Sequence, residues 1–337
     1  MARPRILSGM RPTGPLHLGH LTGALDNWVR LQDEYQCFYA VVDWHALTTD
    51  YARPEGIRDN ILEVATDWLA AGIDPARSTL FIQSHVPEHA ELHLLLSMAT
   101  PLGWLERVPS YKEQQQQLAD RDLSTYGFLG YPLLQSADIL IYKADAVPVG
   151  EDQVPHIELT REVARRFNHL FGAILPEPKT LLTPVPRIPG TDGRKMSKSY
   201  DNAVYLKDPP ELLREKIKPM VTDPARKRRV DPGTPEICPV FHLHQAFSPP
   251  ETQAWSAHGC RTAGIGCLDC KGALIDHLLH RLEQIHERRP EYAARPDMVW
   301  DILQEGSRRA RETARATMEE VRAAMKIRYP IPAPEQV

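Results

Sequence analysis

Apolar and polar positions along the first hundred residues repeat in a fixed order. Residues 5–9 form a short apolar run that reads as a buried strand. From Gly19 to Leu31, Leu21, Ala24, Leu25, Trp28 and Leu31 fall on one helical face. The run CFYAVVDWHALT, Cys37 to Thr48, begins as continuous apolar sequence and ends polar, as a central parallel strand does. Glu55 to Gly72 is an amphipathic helix stopped by Gly72, and Thr79 to Ser84 is a further buried strand. Strand and helix alternating in this way predict an α/β fold with a doubly wound parallel sheet. Ligands of such sheets lie beyond the carboxyl ends of the strands, which puts the turn Pro12–His20, His45 and the Ser84–His85 region on one rim.

The pattern then turns helical. Glu88 to Met98 and Tyr126 to Lys143 read as helices, and the second sets Tyr131, Gln135 and Asp138 on one face. A phenol, an amide and a carboxylate on an otherwise apolar helix need polar partners if buried, whether in a site or in a structural network. Ala146 to Gln153 is a short strand running into a helix start, where Gly150 gives backbone access and Asp152 and Gln153 suit hydroxyls or an ammonium. After a proline-rich connection, Ala273–Arg289 and Met298–Met325 are two more helices.

Composition narrows the classes. At 337 residues the chain suits one large and one smaller domain. A net charge of −4 gives no global basic footprint, so a nucleic-acid surface would be local, as in the basic stretch Glu211–Pro232. The opening MARPRILSG lacks the apolar core of a signal peptide, and no stretch approaches the ~20 apolar residues of a spanning helix. The expected setting is the cytoplasm, with no membrane partner.

Two segments carry phosphate chemistry. PTGPLHLGH, Pro12 to His20, joins a strand to a helix start and presents His17 and His20, where backbone N–H groups and the helix dipole attract anions. GRKMSKS, Gly193 to Ser199, is a glycine-led loop with Lys195 and Lys198 three apart, suited to a polyphosphate. An isolated KxxK is more often a solvated turn, so the pairing of the two segments is what carries weight. HLGH and KMSKS resemble the two signatures of class I aminoacyl-tRNA synthetases. SGMRPTGPLHLGH, VVDWHALT, LFIQSHVPEHAE, YPLLQSADIL and VPVGEDQVPHIELTREVARRFN stand between them in the order of the tryptophanyl members, over most of residues 5–230.

The resemblance implies a Rossmann-like catalytic domain over 1–205, with a helical, dimer-forming insertion around 90–145. It further implies a helical anticodon-binding domain over 206–337 and a homodimer. The implied substrates are ATP with Mg²⁺, L-tryptophan and tRNA(Trp). ATP would lie on Arg11, Pro12, Thr13, Gly19, His20, Gly150, Glu151, Asp152, Ile188 and the loop Lys195, Met196, Ser197, Lys198 and Ser199. Tryptophan would be held by Gly9, His45, Tyr131, Gln135, Asp138, Val147, Val149 and Gln153, with Asp138 accepting the indole N–H and Tyr131 and Gln153 on the ammonium. His17 and His20 would act at the α-phosphate, and Lys195 and Lys198 at the leaving pyrophosphate. Leu7, Arg11 and Gln135 stand where many bacterial relatives carry an aromatic, a glutamine and a methionine. A tyrosyl-type synthetase or a non-catalytic paralogue are the rival readings; intact histidines and lysines argue against the second.

Four of the five cysteines, Cys238, Cys260, Cys267 and Cys270, follow C-x21-C-x6-C-x2-C. Four thiols so gathered suggest a soft metal. Some tryptophanyl relatives hold a [4Fe–4S] cluster on cysteines whose first gap is one residue longer; zinc is the alternative.

Overall fold

The structure, a computed structural model, describes residues 3–117, 121–183 and 188–329. The proline-rich run that the sequence places around 184–187, and the final eight residues of the expected helical domain, lie outside them.

Five strands form one parallel sheet: β1 (Arg5–Met10), β2 (Gln36–Val41), β3 (Ser78–Ile82), β4 (Ala146–Val149) and β5 (Lys179–Leu182). Their order is β3-β2-β1-β4-β5, so the winding reverses between β3 and β4 and the switch point falls between β1 and β4. β1 pairs with β2 along its whole length but with β4 only at Ile6–Ala146. Beyond that pair the two strands part towards their carboxyl ends, and a crevice opens there.

Both faces of the sheet are covered, which is why its strands are apolar throughout rather than alternating. Ile6, Cys37, Tyr39, Leu80 and Ile82 enter one core with Trp28 and Trp68. Leu7, Phe38, Ala40 and Phe81 enter the other with Ile139, Ile141 and Tyr142.

The helices follow the expected grammar with corrections. After β1 come α1 (Leu18–His20), a π-helical turn (Leu21–Leu25) and α2 (Asp26–Leu31), where the periodicity predicts one α-helix. The apolar run from Cys37 leaves the strand earlier than predicted: Asp43 and His45 lie on α3 (Asp43–Asp50). Then follow α4 (Ile57–Ala71), α5 (Glu88–Ser97), α6 (Leu102–Glu106), α7 (Pro109–Gln117), α8 (Tyr126–Ile141) and α9 (Val154–Phe171). β5 was not anticipated; its strand is short, at the sheet edge, and half exposed.

The last third comprises α10 (Pro210–Ile217), α11 (Pro239–Phe247), α12 (Pro250–Arg261), α13 (Cys267–Ala293) and α14 (Pro296–Ala324). The core runs without a break into this last third. Leu274, Leu278 and Leu282 of α13 join the first core, and Ala310, Ala314 and Met318 of α14 the second. α14 lies against the edge strand β3, where Ser307 Oγ accepts the Ile82 N–H at 3.2 Å.

Candidate functional site

The crevice between β1 and β4 widens into a cleft of about 580 Å³. All eight residues expected to meet tryptophan line it: Gly9, His45, Tyr131, Gln135, Asp138, Val147, Val149 and Gln153. Of those expected to meet ATP, Arg11, Gly19, His20, Gly150 and Asp152 line it; Pro12, Thr13, Glu151, Ile188 and Lys195–Ser199 do not. Gly9 is required by close packing, since a Cβ there would stand 2.8 Å from the Ala40 carbonyl oxygen.

Asp138, from α8, is buried at 3% exposure at the floor of the cleft. Its Oδ2 accepts from His45 Nε2 at 2.9 Å, its Oδ1 from His89 Nδ1 at 2.6 Å, and Gln83 Nε2 reaches both oxygens at 2.9 Å. Burial alone would raise its pKa, but the hydrogen bonds and charge of His45 and His89 outweigh that and hold it below the usual carboxylate range. His89 Nε2 in turn lies 2.7 Å from the Tyr142 hydroxyl. Sequence reasoning missed Gln83 and His89. The signal was available in LFIQSHVPEHAE, which follows a buried strand with polar residues that a core would otherwise exclude.

A second network fixes the other two residues of that face. Ser110 Oγ lies 2.6 Å from both Tyr131 Oη and His156 Nε2, and His156 Nδ1 meets Gln135 Oε1. Burial, aided by His45, pushes His156 down to about 4 against the pull of Asp152, so the ring is neutral at pH 7. Gln135 is thereby anchored through its carbonyl to His156. Gln153 lies at the cleft and donates to Asp152 Oδ2 at 3.1 Å. Arg11 reaches Thr49 Oγ1 at 3.3 Å, beside the Arg121–Asp50 ion pair.

The signature turn is ordered by its own histidines. His17 Nδ1 accepts the Gly19 N–H and His20 Nδ1 accepts the His17 N–H, each at 3.1 Å. In the neutral rings this leaves both protons on Nε2, giving two neutral donors. Burial first, then Lys198 and Lys195, pushes His17 down to about 4; burial, His17 and Lys198 lower His20 further still from its usual value. Both rings thus present an N–H donor without a formal positive charge.

The two signatures touch. Lys198 Nζ donates to the Gly14 carbonyl at 2.7 Å, which bridges the lysine loop to the turn, while Lys195 is exposed. Burial brings Lys198 down to about 8. Asn202, another residue missed, holds the loop: it accepts the Ser197 N–H at 2.8 Å and donates to Asp192 Oδ1 at 2.7 Å.

The four cysteines are free thiols lining a separate small cavity between α11, α12 and α13. Arg226 lines the same cavity, and its buried Nε has no partner among the described residues. Cys270 lies 3.1 Å from Ser256 Oγ, and burial raises its thiol to about 11. Among the described residues no group of three or more His, Cys, Asp or Glu is placed to hold a metal ion.

A family model described as tRNA synthetases class I (W and Y) matches residues 1–283. The tryptophan–tRNA ligase of Thermotoga maritima is 55% identical over 327 residues, covering 96% of this chain and all of that relative. The one from Ralstonia nicotianae is 49% identical, covering 96% and 99%. Among solved structures, tryptophanyl-tRNA synthetase from Campylobacter jejuni complexed with ADP and tryptophan aligns with a TM-score of 0.85 at 32% identity, over 96% of this chain and 99% of that one.

Proposed function

The chain belongs to the class I tRNA synthetases of the tryptophan and tyrosine group and is a tryptophan–tRNA ligase; from that premise we propose how its residues divide the work. The observation that carries the reading is the convergence of Asp138, His45, Tyr131 and Gln135 on one cleft that also receives His20 and Gly150. Tryptophan enters the apolar end with its indole N–H on Asp138. That carboxylate is already charged and oriented by His45, Gln83 and His89, so a side chain lacking the donor leaves a buried anion short of a partner. Tyr131 and Gln153 take the ammonium.

The tryptophan carboxylate attacks the α-phosphorus of ATP, the bond to the β-phosphate oxygen breaks, and tryptophanyl-adenylate and pyrophosphate form. Such a step needs position and charge stabilisation rather than a protein nucleophile. His17 and His20 donate through Nε2 to the α-phosphate, and Lys198 and Lys195 meet the departing pyrophosphate; Mg²⁺ arrives with the nucleotide. A ribose hydroxyl of the terminal adenosine of tRNA(Trp) then attacks the adenylate carbonyl and AMP leaves. The helical region after residue 205 reads the anticodon, and the work takes place in the cytoplasm, where tRNA is charged.

Leu94, Met98, Leu102 and Tyr126, all more than half exposed, fall on the segment expected to dimerise and support a homodimer. We propose that Cys238, Cys260, Cys267 and Cys270, which line one cavity with the Arg226 Nε on its wall, hold a [4Fe–4S] cluster of structural role. Tryptophan-dependent exchange of pyrophosphate into ATP, run beside tyrosine, tests the division of labour. Activity with tyrosine comparable to that with tryptophan, or an Asp138→Asn enzyme with an unchanged tryptophan KM, would overturn it.

A further inference from the structure

The turn bearing His17 and His20 is held from behind by a buried ion cluster that the proposed chemistry does not use. Asp67, on α4, is fully buried. Its Oδ2 accepts the Leu16 backbone N–H at 2.9 Å and its Oδ1 the Nε–H of Arg289, from α13, at 2.8 Å. One turn earlier on α4, Glu63 Oε1 accepts from Arg289 Nη2 at 2.8 Å and Lys207 Nζ at 2.6 Å. The chain returning from the lysine loop pairs with the same turn: Leu206 N–H donates to Leu16 O at 2.9 Å, and Leu18 N–H to Val204 O at 3.0 Å. His286, three residues before Arg289, meets Leu206 O at 3.1 Å. The histidine turn and helix α13 therefore meet at the Asp67 carboxylate, and the chain leaving the lysine loop pairs with the same turn beside it.

A neutral acceptor would satisfy the Leu16 N–H equally well. A fully buried charge is costly unless paired, and here its partner comes from a helix more than two hundred residues away in sequence. We infer that Asp67, clamped by Arg289, is a positioning residue for ATP: it fixes the turn at Leu16 so that His17, His20 and Lys198 converge on one nucleotide. Its charge acts as well as its hydrogen bond. Lys198 is faced by Asp67 and Glu63 from α4, which favour its ammonium form, and by Arg11, which opposes it. His17 and His20 beside it are neutral, and Arg289 and Lys207 offset the two carboxylates. The inference rests on the reading that the turn and lysine loop bind ATP.

The test uses the full chain and pyrophosphate exchange, with ATP and tryptophan varied separately from pH 6 to 9.5. Asp67→Asn keeps an acceptor for Leu16 and removes the charge. It is expected to raise the ATP KM about tenfold, hold the tryptophan KM within about twofold, and move the alkaline limb of kcat/KM for ATP to lower pH. Arg289→Gln should raise the ATP KM in the same selective way and decides the matter if Asp67→Asn does not fold. Folded variants that lower Tm yet leave the ATP KM and the alkaline limb in place would reduce the cluster to a structural ion pair and overturn the inference. Lys198→Ala run in parallel separates the causes: if it too leaves the ATP KM unchanged, the reading of the lysine loop fails and the inference with it.

Discussion

At the scale of single residues, the site is built from groups whose protonation states are set by burial. Asp138 is held as an anion by three donors, and Asp138→Asn reverses that, turning amide hydrogens towards His45 and His89. The tryptophan KM should rise about a hundredfold with the ATP KM nearly unchanged, measured by pyrophosphate exchange. His17 and Lys198 fix the pH profile. With His17 at about 4 and Lys198 at about 8 in the free enzyme, kcat/KM for ATP should stay flat through pH 6.5 and fall above pH 8 as the ammonium is lost. Lys198→Arg, which stays charged, should remove that alkaline limb; a limb that persists would assign it elsewhere. Stability runs differently. His17, His156 and His244 each have folded values near 4 against 6.5 unfolded, so the unfolded chain binds more protons between those limits. Their contribution is full above pH 6.5 and lost as pH falls towards 4, and Tm followed by calorimetry should decline across that window.

At the scale of elements, two features depart from what periodicity alone suggests. The segment after the signature turn runs through a π turn at Leu21–Leu25, and Gly23 and Ala24 of that turn line the cleft. An inserted residue of this kind often marks a functional site, and helical patterning cannot register it because the apolar face is kept. The strand from Cys37 ends at Val41, so His45 reaches Asp138 from a helix rather than from a strand end. α14 shows the reverse situation, a local sequence of ordinary helical character with an exacting tertiary role. A Cβ at Gly306 would stand 1.7 Å from the Leu80 carbonyl oxygen of β3. Gly306→Ala should therefore push α14 off the sheet edge, costing on the order of 1–3 kcal/mol despite the better helix propensity of alanine, and denaturant unfolding would measure it.

At the scale of the whole molecule, the last third is fused to the sheet through both cores, and α13 carries Cys267 and Cys270 at one end and Arg289 near the other. The cysteine cavity should yield iron and acid-labile sulfide in equal amounts from protein purified without oxygen, with zinc absent. Cys267→Ser should lose both and lower Tm, whereas a colourless, metal-free parent protein would remove the cluster assignment.

The amino-acid sequence determined the sheet class and both signature segments, because apolar periodicity and glycine- and proline-shaped turns act locally; the residues expected to meet tryptophan came from the resemblance of its motifs to a family, not from periodicity. It also placed four thiols close enough along the chain to be read together. Only the tertiary structure decided that Asp138 is shared among His45, Gln83 and His89, that Ser110 and His156 orient Tyr131 and Gln135, and that the four cysteines line one cavity. Those facts join side chains from separate strands and helices. The physical reason is burial: a polar group's charge and free lone pairs are fixed by whatever packs against it, and partners dozens to hundreds of residues away leave no periodic trace in the chain.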